Sequence, residues 1–173
     1  TGGRHVMEAG IELSEYIMPG IAGRALSEEH ATETARLLNL ICPHFIRVRT
    51  FAMHPQSPMQ KMVLEGTFIP LTDDEIVAEI RLLVDHLDNM HSYFSCNDFS
   101  LNLLMQVDGF LDEKKEEMLT ELDAYLSMTK RQRQVYTLLH YAGYGRYPLS
   151  VVTDPNVLNQ VVPEIEKLEK GGG

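Results

Sequence analysis

Apolar residues occupy alternate positions of residues 11–17 (IELSEYI), and polar or phenolic residues occupy the positions between them. In an extended strand, successive side chains point to opposite faces of the sheet. Such a strand would bury one face and present Glu12, Ser14 and Tyr16 on the other, with Glu15 as an exception on the buried side. The side chains on this second face are typical of a surface that contacts a polar group.

The same alternation recurs over residues 45–52 (FIRVRTFA), which predicts a second strand. Arg47 and Arg49 fall on one side of this strand, and Val48 falls on the other. Residues 92–96 (SYFSC) predict a third, shorter strand.

Helical periodicity fills the intervals between these strands and the rest of the chain. Helices are predicted over residues 4–9, 28–41, about 73–88, 112–127, 130–142 and from 155 onward, with a brief helix between 98 and 109 and a linker over 143–150. Ser27 is the predicted N-cap of the second helix. Thr72 and Glu75 are spaced as a capping box for the helix that follows them.

Strands and helices alternate in the first part of the chain, which predicts an α/β fold with right-handed crossovers and a parallel sheet. Parallel sheets are normally covered on both faces. The polar sides of the first two strands therefore indicate a shared interior, such as a barrel lumen or a ligand cleft.

Composition and charge narrow the classes of partner. The chain has 173 residues and a formal net charge of -10, which disfavours binding to nucleic-acid phosphates or anionic lipid. No apolar run approaches the roughly 20 residues that span a bilayer, and the N-terminus lacks a signal-peptide pattern. We therefore expect a cytoplasmic protein without membrane contact.

Cysteine and histidine usage predicts no metal site. Cys42 and Cys96 are isolated in sequence, without C-x-x-C spacing, so neither a disulfide framework nor a cysteine-ligated metal is indicated. None of the seven histidines forms a pair at the i, i+4 spacing of a helical zinc site.

Three segments together resemble a known family. AGIELSEYIMPGIAG, HATETARLLNLICPHFIRVRTFAMHPQSPM and LTDDEIVAEIRLLVDHL follow one another without large gaps. They are similar to the fifth strand with its glycine loop, the sixth strand with its proline loop and the last helix of a radical S-adenosylmethionine enzyme core. The branch is that of the elongator catalytic subunit and oxygen-independent coproporphyrinogen oxidase, and the resemblance covers about residues 4–105.

The resemblance implies half of a TIM-like, partial β/α barrel of parallel strands over residues 1–109, followed by a helical extension over residues 110–173. It also implies an oxidoreductase of the radical type, in which a [4Fe-4S] cluster reduces S-adenosylmethionine. The substrate stays open, because nothing in the sequence distinguishes a tRNA base, a porphyrin precursor or a peptide.

Seven residues are candidate contacts to S-adenosylmethionine or substrate, namely Glu12, Ser14, Tyr16, Gly20, Gly23, Arg47 and Arg49. The arginines suit a carboxylate in two-pronged geometry, and the glycines allow close backbone approach. Structural alternatives remain for each kind of residue. In these alternatives, Glu12 is an ion-pair partner of either arginine, the glycines form a tight turn, and the strand residues contribute packing.

The sequence departs from the family at the cluster loop. Radical S-adenosylmethionine enzymes hold the cluster on a C-x-x-x-C-x-x-C motif, and this chain has neither the motif nor three cysteines. We expect the C-terminal portion of such an enzyme, inactive alone. The alternative is a non-enzymatic α/β module that binds a small ligand or a protein. A half barrel would leave strand edges unpaired, which predicts a homo-oligomer, most simply a dimer.

Overall fold

The computed structural model describes residues 2–98, 100–142 and 147–171. The helices are Gly2–Glu8 (α1), Ser27–Ile41 (α2), Met59–Leu64 (α3), Asp73–His86 (α4), Leu111–Leu126 (α5), Lys130–Tyr141 (α6) and Pro155–Gly171 (α7). The strands are Ser14–Ile17 (β1), Phe45–Val48 (β2), Tyr93–Ser95 (β3) and Asp108–Phe110 (β4), and short 3-10 turns cover Arg24–Leu26 and Leu149–Thr153. Residues 143–146 of the predicted linker lie outside the described residues.

The strands form one open sheet in the order β1-β2-β3-β4. β1 pairs with β2 and β2 pairs with β3 in parallel, whereas β3 pairs with β4 antiparallel. The fold is therefore α/β with a mixed sheet. The three predicted parallel strands are present, and the antiparallel fourth strand is an addition that the sequence pattern did not predict.

The brief helix predicted before Gly109 is wrong. The described residues between Cys96 and Asp108 form turns that lead into β4. Their apolar side chains, such as Leu104 and Val107, are buried by tertiary packing. Apolar spacing in such a buried segment resembles the helical repeat of a surface helix without indicating one. Gly109 in β4 has a φ angle of +145°, and a Cβ at this position would lie 2.7 Å from Lys114 Cδ, so both the backbone and the close contact favour glycine here.

Side-chain capping explains where α4 begins but not where α2 begins. The Thr72 hydroxyl accepts from the Glu75 N–H, and Glu75 accepts from the Thr72 N–H, so the predicted capping box of α4 is confirmed. The predicted Ser27 cap is wrong, because the N-cap of α2 is Leu26 and no side chain caps it. Ser27 is instead the first helical residue, and its hydroxyl donates to Glu79 on α4.

The core lies against one face of the sheet. Ile17, Ile46, Val48 and Phe94 alternate along their strands and are 7%, 0%, 0% and 0% exposed. α2 and α4 pack against each other and contribute buried apolar faces to this side. Burial of this face leaves the opposite face of the sheet to the polar and aromatic residues.

Residue contacts divide the chain into two compact units, Thr1–Leu122 and Asp123–Gly173. The second unit has its own buried side chains, including Val135, Tyr136 and Ile165. The sequence-based boundary at residue 109 stays a prediction. Within the described part of the chain, no helix combines the length and apolar character needed to cross a membrane.

Candidate ligand site on the polar sheet face

The strand register gathers polar and aromatic side chains on one face of the sheet, because directly paired residues project to the same side. The paired residues on this side are Ser14, Tyr16, Phe45, Arg47, Tyr93, Ser95, Asp108 and Phe110. We call this set the polar sheet face. Three of the seven predicted site residues, Ser14, Tyr16 and Arg47, belong to it.

Arg47 is held by its neighbours on the polar sheet face. Its Nε donates to Ser14 Oγ at 3.1 Å, and its guanidinium carbon lies 5.3 Å from the centre of the Phe45 ring. No described residue accepts a hydrogen bond from either Nη nitrogen of Arg47. The side chain is therefore oriented while most of its donors are available to an anionic group.

Arg49 follows the end of β2 and stands over Tyr16, with its guanidinium carbon 5.4 Å from the ring centre. Its Nη1 donates to the Val48 carbonyl at 2.9 Å, and its Nε lies 3.4 Å from Asp98 Oδ2. Hydrogen bonds from Ser100, and more weakly the charge of Arg49, hold the pKa of Asp98 below its usual range. Arg49 therefore has the structural ion pair that the sequence left open for one of the two arginines.

Gly20 and Gly23 lie in the loop after β1, at the sheet end where Arg49 also lies. Their φ angles are +87° and +69°, in the left-handed region that favours glycine. A Cβ would lie 2.5 Å from Ile76 Cδ1 at Gly20, and 2.7 Å from Phe68 Cε2 at Gly23. Both glycines are thus required by the turn itself, whatever the loop binds.

Glu12 is not brought into this group. The chain enters β1 only at Ser14, and Glu12 precedes the strand with an exposed side chain. Among the described residues it forms no hydrogen bond or ion pair. Glu12 therefore does not form the alternative ion pair with either arginine, and an exposed carboxylate needs no such partner because water solvates it.

Besides the rings of Phe45 and Phe110, the polar sheet face has three side chains with polar groups that are not among the predicted site residues, namely Tyr93, Ser95 and Asp108. Tyr93 donates its hydroxyl to Asp108 Oδ2 at 2.7 Å, while Asp108 Oδ1 and Ser95 Oγ are buried without a hydrogen-bond partner among the described residues. Alternation within the predicted third strand could have assigned Tyr93 and Ser95 to this face. Asp108 has no usable signal in the sequence, because the apolar spacing of residues 101–107 predicts a helix before Gly109 and not a strand.

The described residues do not fit an iron-sulfur cluster. Cys42 is exposed and Cys96 is buried, and burial raises the pKa of the Cys96 thiol well above its usual range. A cluster iron requires thiolate or comparable ligands. The described part of the chain contains no group of three or more histidine, cysteine, aspartate or glutamate residues that could hold a metal ion.

The polar sheet face presents groups that suit an anionic ligand with a planar part. Arg47 offers directed donors, and Tyr16 is 63% exposed as a residue, which leaves aromatic surface for stacking beside the Arg49 contact. The glycine loop borders the same end of the sheet. No protein-family model matches the chain, and no significant match was found among curated proteins or solved structures.

Proposed function

We propose that the polar sheet face binds S-adenosylmethionine, and that the chain forms ligand-facing walls of a partial β/α barrel of the radical S-adenosylmethionine type. The proposal combines the sequence resemblance with one observation. Ser14, Tyr16 and Arg47 share one sheet face, and Arg47 is oriented by Ser14 while its Nη donors lack described partners. A carboxylate is the natural acceptor for such a guanidinium.

The residues present suit the two recognition elements of S-adenosylmethionine. Arg47 would hold the carboxylate of the methionine part, and Tyr16 would stack against the adenine. Arg49 would stay over the Tyr16 ring, where its pairing with Asp98 fixes it. S-adenosylmethionine supplies the sulfonium whose reductive cleavage starts radical chemistry in the resembled family.

The chain by itself is proposed to bind rather than to catalyse. Its described residues do not fit the cluster that would deliver the electron, so the thiolates would have to come from outside these residues. The proposed role of this chain is to bind and orient the ligand. The missing cluster ligands also favour the second candidate, a non-enzymatic module that binds a small anion through the same face.

Calorimetric titration with S-adenosylmethionine tests the proposal. Arg47→Gln should weaken binding by about tenfold or more, because it removes a charge-assisted hydrogen-bonded contact. Arg36→Gln is the matched control, because Arg36 is an exposed arginine on α2 that pairs with Glu33. The control should bind as the wild type does.

Three outcomes would contradict the proposal. An absence of binding heat with millimolar S-adenosylmethionine would remove the ligand assignment. Equal weakening in both arginine variants would indicate non-specific attraction between charges. Binding of methionine or citrate as tightly as S-adenosylmethionine would favour the non-enzymatic anion-binding module.

A further inference from the structure

A buried carboxylate lies behind the glycine loop. The Glu79 side chain on α4 is only 1% exposed. Its Oε1 accepts from the Gly20 N–H at 2.9 Å and lies 2.9 Å from His30 Nδ1, and its Oε2 accepts from the Ser27 hydroxyl. Burial of a carboxylate is costly unless it is hydrogen-bonded in this way.

The peptide group between Pro19 and Gly20 is held from both sides. Its N–H donates to Glu79, and the Pro19 carbonyl accepts from the Phe51 N–H at 2.8 Å. The first contact ties the loop to α4, and the second ties it to the segment that follows β2. Rotation of this peptide group would break both hydrogen bonds, so the two contacts together fix its orientation.

Glu79 interrupts the apolar face of its helix. Ile76 and Leu83, three residues before and four residues after Glu79, lie on the same helical face and are 9% and 2% exposed. A hydrophobic residue at such a position often gives equal or greater stability than a buried polar group. Stability alone therefore does not explain an acidic residue at position 79. Its hydrogen bond to the Gly20 N–H offers another explanation, because it restricts the backbone of the glycine loop.

We infer that Glu79 is a positioning residue, which sets the backbone of the Gly20–Gly23 loop at the edge of the ligand site. It acts on ligand binding through the loop, without touching the ligand. His30 and Ser27 complete the arrangement from the start of α2 and orient the two carboxylate oxygens. The effect on affinity rests on the proposed function, whereas the effect on the loop does not.

The test compares Glu79→Met with Glu79→Gln. Methionine has a similar length but replaces the carboxylate with a thioether that is only a weak acceptor, whereas glutamine can accept from the Gly20 N–H and can donate to the Ser27 hydroxyl. Asp85→Asn is the matched control, because Asp85 is an exposed acid of the same helix that pairs with Arg81. Ser27→Ala is a milder variant that keeps Glu79.

The first measurement is amide hydrogen exchange by NMR without ligand. We expect Gly20 exchange to rise about tenfold or more in Glu79→Met relative to the buried Val84 amide of α4, because one hydrogen bond to a charged acceptor is lost. Glu79→Gln should restore most of the protection, and Asp85→Asn should change nothing. If Glu79→Met does not fold, Ser27→Ala should show a smaller rise.

The second measurement is calorimetric titration with S-adenosylmethionine. Glu79→Met should bind several-fold more weakly than the wild type, and Glu79→Gln should recover the affinity. Unchanged Gly20 protection, or a uniform rise at Gly20 and Val84, would overturn the inference. Faster Gly20 exchange with unaltered affinity would also overturn it. If the wild type binds no S-adenosylmethionine, the proposed function fails, and the exchange data alone decide whether Glu79 positions the loop.

Discussion

At the scale of one residue, Arg47 combines a structural role with the recognition role that we propose for it. Its Nε bond to Ser14 and its position over the Phe45 ring restrict the side chain. A side chain that is already oriented loses little conformational freedom when a ligand binds, so more of the interaction appears as affinity. Lysine at this position would keep the charge but lose the planar, two-pronged donor geometry.

The glycine loop gives a stability prediction at the same scale. Gly20→Ala should lower the free energy of unfolding by roughly 2–4 kcal/mol, because it adds left-handed strain to a clash with Ile76. Gly66→Ala is the matched control, since Gly66 has φ +72° but no atom within 4 Å of its Cβ position. We expect the control to lose about 1–2 kcal/mol from strain alone.

Urea unfolding of the two alanine variants measures this difference. If both variants lose the same free energy, then the contact with Ile76 relaxes without cost. In that case the glycine at position 20 would be explained by its φ angle alone.

At the scale of one element, the residues that cap the start of α4 also form a tertiary contact. The capping box links Thr72 and Glu75, and Glu75 also forms an ion pair with Arg24, with Nε and Oε1 2.7 Å apart. Arg24 follows the glycine loop, and its N–H donates to the Ile69 carbonyl at 2.8 Å. The cap of α4 therefore also anchors the segment between the loop and α2.

The same contacts predict a pH dependence. The Thr72 N–H and, more weakly, Arg24 hold the pKa of Glu75 below its ordinary value of 4.5. Because the folded state has the lower pKa, the contribution of this carboxylate to stability is complete above pH 4.5 and is lost as pH falls through the folded pKa. The side chain is 37% exposed, so solvent screening keeps the effect below about 1 kcal/mol.

Urea unfolding of Glu75→Gln at neutral pH and at pH about 3 tests this dependence. The wild type should be more stable than the variant at neutral pH, and the difference should disappear in acid. Glu117→Gln, at an exposed glutamate of α5, controls for the change in net charge. A difference that persists unchanged in acid would contradict the proposed role of the carboxylate.

At the scale of the whole molecule, the four described strands form an open sheet, with two free edges. β1 and β4 are the outer strands of the described sheet, and large apolar side chains are exposed along β1 and its flanks, with Ile11 57% and Met18 44% exposed. Unpaired strand edges and exposed apolar residues favour association with another chain. We therefore propose a homo-oligomer, and the edge of β1 is the contact that we expect.

Sedimentation equilibrium at micromolar protein concentration tests the oligomer. The wild type should self-associate, and Ile11→Lys should shift it towards the monomer because a lysine beside a strand edge opposes pairing. Leu64→Lys is the matched control, since Leu64 is 87% exposed on α3. A wild type that is purely monomeric, or equal shifts in both variants, would rule out association through β1.

The sequence by itself determined those features that arise from neighbouring residues. Period-two alternation predicted the common side of Ser14 and Tyr16, and a helical repeat with a capping box predicted α4. These signals are local, because side-chain direction and capping depend on residues a few positions apart. The sharing of one face with Arg47 follows once two such strands pair in parallel register.

Only the tertiary structure decided which distant groups meet. Glu79 bonds to the amide of a residue 59 positions away, and Asp108 reaches Tyr93 only because β4 pairs antiparallel with β3. Glu79 did leave a trace in the sequence, as an acid between Ile76 and Leu83 on an apolar helical face. The partner of a buried charge depends on how elements pack, and no local pattern contains that information.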